Sequence, residues 1–452
     1  MAKYRAYPEY KESGVEWLGE VPKEWDVINI KYLSQVKRGA SPRPIDDPKF
    51  FDDDGDYAWV RIADVTASDT YLLETTQKMS TLGSSLSVKL EPNKLFLSIA
   101  GTVGKPCITA IKSCIHDGFV YFPCLRIPNK FLFYVFSGEQ AYKGLGKMGT
   151  QLNLNTDTVG GIKVALPSNN DFIANIVNFL DHETAKIDNL IKKQQQLIEL
   201  LKEKRQAVIS HAVTKGLNPD VPMKDSGVEW LGDVPEHWTV STIKYISKFI
   251  GTGGTPKNAE SFTDDDGIDW FSPGDFNGSL ALRNAKKKII AQVVGNGDVK
   301  IYPKNSIVVI GIGATLGKVA FVEHEFSCNQ QINIITPGKN VDHKYLTYSL
   351  LNQVEQMKQS ANASTIGIMN QEKTKKIWIA FPPKDEQIKI VNVLSQKEIE
   401  FDSLLNKSEY QILLLQERRT ALISAAVTGK IDVRDWVAPD AQAVEESQEA
   451  TA

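Results

Sequence analysis

Two stretches of the chain place apolar residues at the spacing of a long helix, and they occupy corresponding places in a repeated pattern. From about Asp171 the apolar side chains fall at Ile173, Ile176, Leu180, Ile187, Leu190, Leu197, Leu201 and Val208. Within that set Leu180, Ile187, Gln194, Leu201 and Val208 are spaced by sevens, and the later stretch gives Leu394, Phe401, Ser408, Leu415 and Leu422. A seven-residue repeat keeps one seam on one side of a helix, so each stretch predicts a long coiled-coil helix, over about 171–213 and 385–428. Prolines appear only before and after these stretches, and some 40 residues at about 1.5 Å each span roughly 60 Å. Gln194 and Ser408 hold equivalent polar positions on the seam. There they either fix the register of an antiparallel pair or face solvent on helices that pack on one side only.

The segments ahead of each helix read differently. "YAWVRIADV", "KLFLSIAGTVG" and "FVYFPCLRI" in the first half, and "IDWFSPGDF", "NSIVVIGIGATLG" and "INIITPG" in the second, are short β-type runs broken by Gly and Pro. They predict mixed α/β globular domains with many strands and working loops. A helical segment is expected before the last strand of each, near "KFLFYVFSGEQAYKGL" and "HKYLTYSLLNQVEQMKQSA".

These corresponding patterns come from a duplication. "SGVEWLGEVPKEWDV" begins at Ser13 and "SGVEWLGDVPEHWTV" at Ser226, and both run on into "IKYL" and "IKYI". "ALP" at Ala165 returns as "AFP" at Ala380, "IVNFLD" at Ile176 as "IVNVLS" at Ile390, and "AVISHAVT" at Ala207 as "ALISAAVT" at Ala421. The chain is a tandem repeat of one large unit followed by a small, acidic tail, "APDAQAVEESQEATA", whose composition predicts disorder.

Composition narrows the class. A chain of 452 residues with 42% hydrophobic and 24% charged residues is ordinary for a soluble globular protein. No apolar run approaches the roughly 20 residues needed to cross a bilayer, and "MAKYRAYPEYKE" lacks the apolar core of a signal peptide, so a cytoplasmic location is expected. Cys107, Cys114, Cys124 and Cys328 include no CxxC pair and read as reduced core thiols. A net charge of −3 excludes a generic polycation that coats nucleic acid; any phosphate contact has to be local or supplied by a partner.

A search for chemistry returns nothing that catalyses. "GIGATLGKV" and "AGTVGKP" look like phosphate loops but have Ile312 and Ile99 where the first Gly belongs, and Val319 and Pro106 after the Lys. Both copies fail at the same places, so the motif is a shared turn that exposes a Lys. "DDDG" at Asp52 and Asp264 lacks calcium-loop spacing, and the His residues 116, 182, 211, 237, 324 and 343 are scattered with no HExxH. There is no Gly-x-Ser-x-Gly elbow, and "AFPPKDEQ" lacks the Asn and aromatic of an adenine methyltransferase motif.

What remains is a duplicated recognition module on paired rods. The opening phrase of each half, "GTVGK" or "GATLGK" mid-domain, "TQLNLN" or "TIGIMN" before "IKVALP" or "IWIAFP", and the helix ends "AVISHAVTKG" and "ALISAAVTGK" occur in the same order twice. In that order they resemble the specificity subunit of type I restriction–modification enzymes, over about 13–430. The resemblance implies an α+β fold in which two mixed α/β target recognition domains are separated by two long helices forming an antiparallel coiled coil. It divides the chain into a first recognition domain at 1–168, a helix at 169–214, a linker at 215–225, a second recognition domain at 226–383, a helix at 384–430 and a tail at 431–452.

It further implies a non-catalytic subunit. Each domain reads one half of a split, asymmetric site in double-stranded DNA, and the chain recruits two adenine methyltransferase subunits and ATP-dependent restriction subunits. No cofactor is expected on this chain; S-adenosylmethionine, ATP and Mg belong to the partners. The repeated phrase becomes a structural lead-in with Trp17, Trp25, Trp230 and Trp238 as buried anchors. The frames match between halves while the interiors do not: "KRGASPRPIDDP" faces "GTGGTPKNAESF", and "RNAKKK" has no counterpart. Basic and amide residues in those loops are the candidates for DNA contact, since Arg or Lys suits guanine and Asn or Gln suits adenine. They are Arg38, Arg43, Arg61, Lys105, Gln151 and Asn153, then Lys257, Arg283, Lys286, Lys287, Lys318 and Asn370. Two other readings stay open: a scaffold that does not bind DNA, with two ligand-binding modules spaced by a coil, and a fragment of a self-contained restriction–methylation enzyme.

Overall fold

The computed structural model describes residues 4–138, 140–143, 145, 154–263, 266–295, 299–361 and 367–438. Two continuous helices, Asn170–Thr214 and Lys384–Val427, stand where the sevenfold spacing puts them. The chain divides into two compact units that share these helices: residues 1–195 with 410–452, and residues 196–409. The division therefore cuts across each helix instead of setting it apart as a domain of its own.

In the first unit a five-stranded sheet runs in the order Lys37–Arg38, Phe119–Tyr121, Leu95–Ser98, Pro106–Thr109, Tyr71–Leu72. A four-stranded sheet runs Gln77–Met79, Tyr57–Val60, Ser113–Ile115, Val88–Leu90. The buried runs "LFLS" and "PCIT" form an antiparallel hairpin, Leu97 opposite Pro106, closed by the Gly-Lys turn. The second unit repeats that hairpin with Ser306–Ile310 and Val319–Val322, Val309 opposite Val319. It also repeats a parallel pairing: Tyr57–Val60 lies beside Ser113–Ile115, and Ile268–Phe271 beside Ser327–Cys328. The helical segments ahead of the last strands are present as Asn129–Ser137, and as His343–Leu351 with Val354–Ala361. Each last strand pairs back to the strand that follows the opening phrase, Lys163–Leu166 with Asp26–Asn29 and Trp378–Phe381 with Thr239–Thr242.

Within the first unit the two helices run antiparallel. Asp188 and Arg419 form a bidentate pair at 2.8 and 3.3 Å, and farther toward the start of the first helix Asn175 donates to the Arg434 carbonyl at 3.1 Å. The second unit shows the same sense: Arg205 donates to Asp402 at 2.8 Å and to Glu398 at 2.9 Å, and just past the end of the first helix Gly216 lies beside the Glu386 carboxylate at the start of the second. Leu180, Ile187, Leu394, Phe401 and Ser408 on the expected seam are buried, and Gln194, Leu201, Val208, Leu415 and Leu422 are half-buried. Leu190, Leu197, Leu200, Leu404 and Leu413 on the other faces are exposed.

Two expectations, on the tryptophans and on the cysteines, are corrected by packing. Trp25 and Trp238 are buried, but Trp17 is only half-buried and Trp230 is 44% exposed. Trp25 fits against Tyr7, and the Trp238 indole donates to Glu386 at 3.2 Å; Trp230 instead lines a shallow cleft with Met357, Met369 and Ile377. Cys107, Cys114 and Cys328 are core thiols, the first two pushed up to about 12 by burial, whereas Cys124 is exposed. The chain just after the second helix joins the core of the first unit: Ile431 and Val433 are buried and Trp436 packs edge-on to Phe179. Among the described residues no helix is long and apolar enough to cross a membrane.

Candidate nucleic-acid interface

In each unit four loops are joined side by side by hydrogen bonds, and the sequence sets their geometry before it sets their side chains. The first loop follows Lys37–Arg38 or Ser247–Thr252 and must run against the loop after the parallel strand. Gly39 donates to Phe119 O and Gly253 to Ile332 O, at 2.9 and 3.0 Å. A Cβ on Gly39 would lie 2.1 Å from His116 O, and one on Gly253 2.2 Å from Cys328 O, so only Gly fits at this equivalent position. The third and fourth loops are the turn after Tyr57–Val60 or Ile268–Phe271 and the Gly-Lys turn of the hairpin.

The turn after Val60 is built on an acid. The Arg61 amide donates to Asp64 at 2.8 Å, and the Ser272 amide donates to Asp275 at 2.7 Å. The Gly-Lys turns reach back to these same segments. Lys105 Nζ donates to the Thr66 carbonyl at 2.7 Å and Lys318 Nζ to the Phe276 carbonyl at 3.4 Å. The failed phosphate-loop motif thus has a structural account: its Lys braces a neighbouring loop in both copies.

On this common frame the side chains differ. In the first unit Arg43 pairs with Asp117 at 3.0 Å and Arg38 donates to the Asp117 carbonyl, so these two exposed guanidiniums converge on one residue, while Arg61 donates to Gln77. His116 lies between Trp59 and Phe119, accepts from the Gly118 amide at 2.8 Å, and burial pushes its imidazole below the ordinary value despite Asp117 beside it. In the second unit the corresponding loops hold Ser272 in place of Arg61 and Gln330 with Thr255, which are hydrogen-bonded to each other. Lys257 and Arg283 are exposed there. Lys286 donates to the Gly274 carbonyl at 2.9 Å, and Lys287 lies over the Phe262 ring at 5.1 Å. Asn370 accepts from the Lys373 amide at 2.9 Å and caps the turn Gln371–Lys375, as Asn155 caps Thr156–Gly161 in the first unit. Gln151 and Asn153 lie outside the described residues.

Sequence reasoning missed Asp117, Gln77, Gln330 and Thr255, the acceptors and partners that orient the loops. For Asp117 and Gln330 the signal was present only as position: each lies shortly after the repeated Ser-Cys, in "SCIHDG" and "SCNQQ". It also missed a cleft of about 1200 Å³ in the first unit, onto which Lys105, Lys192 and Arg419 open.

A family model described as the type I restriction modification DNA specificity domain matches this chain twice, at residues 22–200 and 235–414. The type I restriction enzyme MjaIX specificity subunit of Methanocaldococcus jannaschii is 28% identical over 193 residues, 41% of this chain and 43% of that protein. The EcoR124I/EcoR124II specificity subunit of Escherichia coli is 27% identical over 189 residues, 40% of this chain and 43% of that protein. The chain therefore matches less than half the length of these two relatives. The putative MjaX specificity subunit of M. jannaschii is 22% identical across 94% of this chain and 98% of its own. Among solved structures, a chain from work on complex assembly and conformational transition of the type I R-M system superposes with a TM-score of 0.70 at 14% identity, covering 91% of this chain and 99% of that one. The HsdS subunit of Thermoanaerobacter tengcongensis superposes at 0.52 with 13% identity, covering 91% and 98%. These two likenesses bear on the fold.

Proposed function

The chain belongs to the family of type I restriction modification DNA specificity domains, and from that premise we propose that it is the recognition subunit of a DNA-modifying assembly. Each unit reads one part of a split, asymmetric site in double-stranded DNA. The observation that carries this reading is the pair of loop clusters: one backbone geometry, with Gly39 and Gly253 equivalent, presents Arg61 in one unit and Ser272 in the other. Equal frames with unequal side chains suit two different sequences read in one manner. Two adenine methyltransferase subunits and ATP-dependent restriction subunits are the proposed partners; they supply the catalysis with S-adenosylmethionine, ATP and Mg. The compartment in this reading is the cytoplasm.

The division of labour follows from charge. With a net charge of −3 the chain offers no broad attraction to a duplex carrying one charge per roughly 1.7 Å, so binding energy is shared with the partners. Titration of the chain with its DNA site is expected to show weak, salt-sensitive binding alone and much tighter binding once methyltransferase subunits are added. Replacing Lys286 and Lys287 together by Ala should weaken recognition of one part of the site, at roughly 1–3 kcal/mol per base pair affected. Equal affinity of the isolated chain and the assembled enzyme at physiological salt would refute the division.

A further inference from the structure

The internal repeat separates what both units share from what each keeps to itself, and one shared feature has no role in the fold. Each lead-in ends on a single helical turn, Ile30–Leu33 or Ile243–Ile246. Its first and last residues are buried, which pins the turn and drives the middle pair outward. That pair is Lys31–Tyr32 in one unit and Lys244–Tyr245 in the other. Tyr32 is 63% exposed and Tyr245 76%, with the Lys ammonium 5.2 and 5.3 Å from the ring centre. The exposed positions around them have drifted: Lys23 faces Glu236, Glu24 faces His237, Asp26 faces Thr239 and Gln35 faces Lys248. From position 23 to 35 the Lys–Tyr pair alone among the exposed positions is unchanged; earlier in the lead-in Gly14 and Glu16 are matched by Gly227 and Glu229.

A large aromatic kept in water at two equivalent places points to something outside the chain that is the same at both. Under the reading above, the two units meet different bases but an identical sugar–phosphate backbone. Contacts to phosphate position a duplex without carrying sequence, so they are the contacts that two divergent recognition units retain in common. The surrounding charge agrees. Lys163 pairs across the ladder with Asn29, two residues from Lys31, and the turn packed beneath carries one acid, Asp157. Beside Tyr245, the turn Gln371–Lys375 and Lys376 bring three lysines to one acid, Glu372, which Lys375 already pairs at 2.6 Å. Lys375 foremost, with Lys376 and Lys244, holds that carboxyl below its ordinary value.

We propose that Lys31–Tyr32 and Lys244–Tyr245 are paired phosphate clamps, each gripping the duplex backbone beside the bases its unit reads. The inference rests on the proposed DNA-reading function. The ammonium pairs with a phosphate oxygen, and the tyrosine hydroxyl donates to a neighbouring one while its ring packs on the sugar. The clamps set register and read no base.

The test uses the full chain and a mixed-sequence duplex of about 40 base pairs, since a backbone contact needs no particular site. Binding is followed by fluorescence anisotropy from about 50 to 200 mM salt. The variant Lys31→Ala with Lys244→Ala should lower the slope of log affinity against log salt by about 0.9 for each lysine removed. Lys31→Arg with Lys244→Arg should restore it, and Tyr32→Ala with Tyr245→Ala should weaken binding while leaving the slope alone. An unchanged slope in the double Lys→Ala variant overturns the proposal, and does so most directly if that variant instead loses a methyltransferase subunit on gel filtration. Absence of any duplex binding by the unaltered chain, alone or assembled, would defeat the underlying reading instead; the unaltered chain in the same titration tells the two failures apart.

Discussion

Single residues in the loop cluster carry more of the architecture than their chemistry suggests. Gly253→Ala places a methyl 2.2 Å from Cys328 O and about as close to Asn329 O, both backbone atoms that cannot step aside. The loop that presents Lys257 must then move, so this variant is expected to lose DNA recognition by the second unit while keeping the fold of the first, as mapped by limited proteolysis and DNA titration. The tryptophans of the repeated phrase make the contrast. Trp25→Ala, at 2% exposure, should cost about 3–5 kcal/mol in urea unfolding, and Trp230→Ala, at 44% exposure, clearly less, about 1 kcal/mol. Identical letters did not reveal this difference, because burial depends on residues outside the phrase: Tyr7 packs on Trp25, while Trp230 lies in an open cleft with Met357 and Met369. His116 adds a pH dependence. Burial holds its folded value below the unfolded one of about 6.5, so the unfolded chain takes up the proton first. The neutral imidazole's contribution is present above about pH 6.5 and is lost as pH falls through the folded value. Melting temperatures should drop between pH 7.5 and 5 by more in the unaltered chain than in His116→Asn, which keeps an acceptor for the Gly118 amide.

At the scale of elements, the helices were the most legible part of the chain. Sevenfold spacing is a property of the helix itself and needs no distant partner, so both limits fell within a residue or so of Asn170–Thr214 and Lys384–Val427. The seam is legible for the same reason, and it makes a sharp prediction on neighbouring positions. Phe401→Ala removes a buried ring and should cost about 3–5 kcal/mol, while Ile399→Ala on the exposed face should change stability by less than about 0.5 kcal/mol. Equal effects in thermal unfolding would show that the seam is misplaced. The ion pairs that join the helices, Asp188 with Arg419 and Arg205 with Glu398, were not legible, since a charge on a helix face looks alike whether it meets a partner or water. The strands were legible as runs. Their pairing was not, because a parallel neighbour such as Ser113–Ile115 beside Tyr57–Val60 is some 55 residues away in sequence.

On the scale of the whole chain, duplication explains both the shared frame and the route of the backbone. The exit of each long helix meets an opening phrase. Lys215 donates to the Asp233 carbonyl in the second unit, and in the first Tyr10 donates to Gly429 O at 3.0 Å and the Asp432 amide to Arg5 O at 2.8 Å. Residues near the two ends of the chain are thus hydrogen-bonded neighbours. A circular permutant opened near Asn218, with the former ends linked, is expected to fold and to assemble with methyltransferase subunits; failure to assemble on gel filtration would count against this closure. Which loops differ between the units was legible in the sequence, whereas how Arg43, Asp117 and Gln330 are held, on which base preference rests in the proposed reading, only the fold reveals.

Methylome sequencing of a host with and without this chain tests the central claim most directly. If two unlike units read one site, the chain's presence adds adenine methylation at a single motif made of two defined, unlike parts separated by unspecified bases, and its removal erases that motif alone. A methylome that does not change, or a motif that is continuous, would contradict the account.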